Sequence, residues 1–132
     1  MKFILIILLT FFGLQIRLYA QLSEFEQDKI DIIGTWMLEE EEASRWVFTS
    51  NNKAKAIYLG IDEIIESTYK LHNTPPKCEG ASLSYDKNVP YLELIEDGNN
   101  IQTCFYIHAL NDKRLTTVDA VTGHIGIWVR VE

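Results

Sequence analysis

Ile32-Ile33-Gly34-Thr35-Trp36-Met37-Leu38 is the stretch on which the fold turns. Before it, Ser23 with Glu26 three residues later forms a capping-box pattern ahead of Phe25, Ile30, Ile32 and Ile33. That spacing predicts a helix of roughly two or three turns ending at Gly34. After it the apolar period drops to two, with Trp36 and Leu38 alternating with Thr35 and Glu39, the signature of a strand with one buried face.

The period-two pattern then continues to the last residue. Trp46 and Phe48 alternate with Arg45 and Thr49, and Asn51-Asn52 is a hairpin signal. Lys53–Leu59 is a third segment and Ile64–Leu71 a fourth, with Ile65, Tyr69 and Leu71 on one face and Glu66, Thr68 and Lys70 on the other. His72–Pro90 holds all three prolines and Cys78, and is the one long connection. Beyond it lie Tyr91–Glu96, a Gly98-Asn99-Asn100 turn, Ile101–Leu110, an Asn111-Asp112 turn, Arg114–Asp119, a Thr122-Gly123 turn and His124–Val131. Short strands joined by tight turns without intervening helices predict an all-β fold: an eight-stranded antiparallel up-and-down β-barrel with a short N-terminal helix. Closure removes the exposed edges of an open sheet. A two-sheet sandwich has the same periodicity and is the alternative.

Two regions divide the chain. Residues 1–20 read as a secretory signal peptide: Lys2 supplies a positive start, Phe3–Leu14 an apolar core, and Ala20 a cleavage position before Gln21. Arg17 and Leu18 sit awkwardly in that pattern, so an uncleaved anchor is the competing reading, although the apolar run is short for a membrane span. Residues 21–132 then form one domain with one core.

Lys2 and Arg17 lie within the first twenty residues, so the remainder carries ten basic against nineteen acidic residues, a net charge of −9. Such a balance repels phosphate backbones and anionic lipid headgroups, which argues against nucleic acid and membrane surfaces as partners. The expectation is a secreted or periplasmic monomer kept dispersed by its charge. Cys78 and Cys104 are the only cysteines, and in an exported chain a pair has one possible connectivity, a disulfide. Closing a loop of about 25 residues is worth roughly 3 to 3.5 kcal/mol in the chain-entropy model. No Cys-x-x-Cys spacing suggests redox chemistry.

Gly34-x-Trp36 at the mouth of the first strand, with a signal peptide, a helix and eight strands in that order, resembles the small secreted lipocalin-like domains (calycin-type β-barrels) of Bacteroidetes. The resemblance covers essentially all of residues 21–132. It implies that Trp36 sits at the closed end of the barrel and that a basic residue of the last strand, here Arg130 in Trp128-Val129-Arg130-Val131, packs across it. Asn73-Thr74-Pro75-Pro76-Lys77-Cys78 is similar to a loop of such domains, with Cys104 as its strand partner. The chain is shorter than a full-length lipocalin, closes on a strand and has tight turns. An eight-stranded barrel can be filled by its own side chains or hold one small ligand, and length alone does not choose.

The remaining residues do not assemble into an active site. Glu39–Glu42 reads as a solvated charged turn, because consecutive carboxylates cannot all point at one ion. His72, His108 and His124 lack the spacing that preorganises zinc ligands, so no metal is expected. There is no nucleophile elbow and no phosphate-cradling glycine loop, so neither catalysis nor a cofactor is expected. Trp46, Tyr58, Tyr69, Phe105 and Trp128 fall on strands and would line a pocket if they face inward around a cavity. Two functions follow. One is a non-catalytic binding module that takes a small hydrophobic or amphipathic ligand into the barrel mouth. The other is a side-chain-filled barrel that acts through protein contact, as an inhibitor or surface accessory, by way of the 72–90 loop.

Overall fold

The computed structural model describes residues 24–81 and 89–132, so the signal-peptide reading of residues 1–20, Ser23 of the capping box and residues 82–88 of the long loop lie outside the described part. The chain forms a closed barrel of eight antiparallel strands in sequence order, and not a sandwich. The strands are β1 (Gly34–Leu38), β2 (Ser44–Phe48), β3 (Lys53–Tyr58), β4 (Glu63–His72), β5 (Tyr91–Glu96), β6 (Gln102–Leu110), β7 (Arg114–Asp119) and β8 (Ile125–Val131). One short helix, α1, spans residues 24–31 ahead of β1.

Each strand pairs with the next, and β1 closes on β8 through Thr35↔Val131, Trp36↔Arg130, Met37↔Val129 and Leu38↔Trp128. Alternation sorts the side chains: Trp46 and Phe48 of β2, Tyr69 and Leu71 of β4, Leu92 of β5 and Leu115 and Trp128 of β7 and β8 are buried in one core with Trp36 and Ile32. Ala54 belongs to the same core, a small residue among large rings. Left-handed turn residues are supplied by Asn52, Asp62 and Asn100, types that tolerate positive φ in tight turns.

Strict alternation fails once. In β6 the register shifts between Ile107 and Ala109, so the pairing Ile107↔Thr117 is followed by Ala109↔Thr116 and Leu110↔Leu115. His108 is the extra residue of this bulge and is exposed. Ile107 and Leu110 thereby both reach the core.

An up-and-down order places alternate hairpins at opposite ends. The turns β2–β3 and β6–β7, the β4–β5 loop and α1 share one end, here the base. The turns β1–β2, β3–β4, β5–β6 and β7–β8 share the other, the rim.

Candidate functional site

At the base the helix does not run to Gly34. It stops at residue 31, and the carbonyls of Asp31, Ile32 and Ile33 at and beyond its end are taken by side chains from the barrel. Trp36 is fully buried and donates through Nε1 to the Ile32 carbonyl at 2.8 Å. Arg130 donates through Nη1 to the Ile33 carbonyl at 2.7 Å, through Nη2 to the Asp31 carbonyl and through Nε to the Asp112 carbonyl at 2.6 Å. A guanidinium on the carbonyls at a helix C-terminus also offsets the negative end of the helix dipole. Its carbon lies 4.3 Å from the Trp36 ring centroid, within cation–π range. Gly34 has φ +140°, and a Cβ there would stand 2.2 Å from Arg130 Nη1. Glycine at this position therefore serves both the backbone angle and the passage of the arginine.

The bore holds most of the aromatic residues named from the sequence. Trp46 and Trp128 stack at 4.0 Å with an interplanar angle of 18°. Phe105 meets Trp46 edge-on at 5.2 Å, Phe48 meets it at 5.7 Å, and Tyr69 meets Phe48 at 5.0 Å. Tyr58 is apart from this group: it pairs in register with Ser44 at the rim end of β3 and is half-buried. Two of the polar tips bond inside the protein, Tyr69 Oη donating to the Thr49 carbonyl at 2.8 Å and Trp128 Nε1 to Thr117 Oγ1 at 3.1 Å. Burial raises the Tyr69 phenol above its ordinary range. Gly126 makes room for the stack, since a Cβ there would lie 2.8 Å from Trp128 Nε1 and 3.0 Å from Thr117 Oγ1.

Cys78 and Cys104 form a disulfide with Cα atoms 6.3 Å apart. It holds the long loop against the outer wall, where Cys78, Ala81 and Val89 pack on a second cluster of Tyr91, Cys104, Tyr106 and Ala120. Beside it, a polar group absent from the sequence reading ties the same loop down. His72 Nε2 lies 3.0 Å from Glu93 Oε1, and Gln102 Nε2 donates both to Glu93 Oε2 and to the Lys77 carbonyl. Partial burial pushes the Glu93 carboxyl up, but hydrogen bonds from Gln102 and His72 and the charges of His72 and Lys70 outweigh it and hold the carboxyl below its ordinary value. The signal was faint, because the pairing Glu93↔Cys104 and the neighbour His72 meet only across strands.

Cavities open at both ends of the barrel. One of about 520 Å³ lies at the base between Lys29 and Ile33 of the lead-in and Ser50, Tyr69, Lys70 and Leu71. The other, about 510 Å³ and more open, lies at the rim against Ile64, Ile65, Glu66, Glu96 and Asp97. Among the described residues no group of three or more His, Cys, Asp or Glu is placed to hold a metal, and no helix is long and apolar enough to cross a membrane. Glu39–Glu42 occupies the exposed β1–β2 turn, with Glu39 on Arg114 at 3.1 Å.

No protein-family model, curated protein or solved structure matches this chain.

Proposed function

We propose that this protein is a small exported lipocalin-like barrel that performs no chemistry and acts by contact with another protein. The observation that carries the reading is the aromatic packing inside the bore: Trp46 stacks on Trp128, with Phe48 and Phe105 edge-on against it. Interiors packed with interlocking rings leave no room for a guest without unstacking them. The Trp36–Arg130 closure of the base and the disulfide-held outer loop fit an extracytoplasmic scaffold.

A second reading, a carrier of a small amphipathic ligand, is favoured by the base cavity of about 520 Å³, which sets Lys29 and Lys70 beside Ile33 and Leu71. The two are separated by tryptophan emission and native mass spectrometry on protein taken from its own extracytoplasmic compartment. A filled contact module gives the bare polypeptide mass, weak acrylamide quenching, and no displacement of a fluorescent fatty acid. A retained small molecule, or saturable quenching by the fatty acid, would replace this reading with the carrier.

A further inference from the structure

Three of the four rim hairpins differ in kind from the short turns of the base. Those at the base, residues 49–52 and 111–113, read Thr-Ser-Asn-Asn and Asn-Asp-Lys, ordinary turn chemistry. The rim instead exposes Leu59, Ile61, Ile64, Ile101, Val121 and Ile125, with Ile61 at 69% of its full exposure. They belong to three successive hairpins, β3–β4, β5–β6 and β7–β8, which the up-and-down order brings to one end. Leu59, Ile61, Ile101 and Val121 sit in the turns, and Ile64 and Ile125 lie in β4 and β8 beside them, so exposed aliphatics ring this end of the barrel, a display that marks an interaction site.

The charge around this surface selects what covers it. Residues 39–43, 59–63, 96–101 and 119–124 contain nine carboxylates and no lysine or arginine. Only Arg114 on Glu39 and Lys53 on Asp97 reach any of them as ion pairs among the described residues. A second copy of the chain would set one acidic rim against another, and an anionic membrane would be repelled as well. Deepening the contact reading above, on which it rests, we infer that the rim docks a protein segment bearing aliphatic side chains flanked by lysine or arginine. The aliphatic tips supply the desolvated centre and the carboxylates the polar edge that orients and attracts the partner.

A peptide of alternating leucine and lysine is the probe, titrated into the full domain by calorimetry and followed by amide NMR. Its controls have the same lysines with serine for leucine, or the same leucines with glutamate for lysine. Saturable binding of the leucine–lysine peptide, with amide shifts confined to residues 39–43, 59–64, 97–101 and 121–125, is the expected result. It should weaken about tenfold or more for either control, for the variant I61S/I64S, and for glutamine at positions 39–42. Those positions are exposed, so the variants should fold, and unchanged circular dichroism checks this. Equal binding of the serine peptide, shifts at the base, or undiminished affinity of I61S/I64S would overturn the inference. So would vesicle binding, or dimerisation that I61S/I64S abolishes. Failure here with weakly quenched tryptophans leaves the filled contact module standing, whereas ligand-dependent quenching removes the module itself.

Discussion

The Arg130 guanidinium lies over the indole of Trp36, 4.3 Å from its centroid, while donating hydrogen bonds to the carbonyls of Asp31, Ile33 and Asp112. One side chain thus joins the last strand, the first strand, the helix end and the β6–β7 turn.

Removal of that junction has a signed, coupled cost. Trp36→Ala should destabilise by about 3 to 5 kcal/mol, the range for a buried aromatic. Gly34→Ala should be costly in the wild type, because its Cβ meets Arg130 Nη1 at 2.2 Å, and cheaper in an Arg130→Ala background, where only the strain of φ +140° persists. Urea unfolding of the four members of this cycle reads the coupling. Strictly additive effects would mean the arginine does not occupy the space the glycine leaves.

The bore should prove intolerant of small changes around Trp128. Thr117→Val strands a buried indole N–H whose partner stands at 3.1 Å, at a cost of about 1 to 3 kcal/mol. Gly126→Ala should also destabilise and alter the coupled tryptophan signal in near-ultraviolet circular dichroism, since its Cβ meets the same indole nitrogen.

Breaking Cys78–Cys104 should loosen the outer wall before the barrel. The linked residues are 26 apart in sequence, and loss of the bond should lower stability by about 3 kcal/mol. Limited proteolysis of C78S/C104S should cut first between residues 73 and 90, where the loop rests on Tyr91 and Tyr106.

Acid should act through Glu93. Its carboxyl is held below the ordinary value of 4.5 in the folded protein, so its contribution is complete above about pH 4.5 and is lost as the pH falls through the lower folded value. Glu93→Gln should therefore be less stable than wild type at pH 7 by about 1 to 2 kcal/mol, and the difference should shrink as the pH falls below 4.5. Urea midpoints at pH 7 and at successively lower pH below 4.5 measure it. A gap that widens on acidification would assign the shift to the wrong state.

Much of the fold was legible because a barrel strand writes its burial into every second residue. The alternation at Ile65, Tyr69 and Leu71 against Glu66, Thr68 and Lys70 appears in β4 as buried and exposed faces. The bulge at His108 was not legible: it depends on how Leu110 must meet Leu115 across the strand pair, which no local period records. The helix end was predicted at Gly34 and falls at residue 31, because Gly34 already belongs to β1, paired with Phe48 of the distant β2 at φ +140°. The rim was illegible for a similar reason. Leu59, Ile61, Ile101, Val121 and Ile125 each look like an isolated apolar residue near a turn, and only the topology gathers them.

The pairing of Thr35 with Val131 places the start of β1 and the end of β8 side by side at the helix end. A tether attached through either flank leaves from the same pole, so the molecule has a handle and, opposite it, a face. Anchored by that handle to a bead, a cell surface or a neighbouring domain, the barrel would present its acidic, aliphatic rim outward.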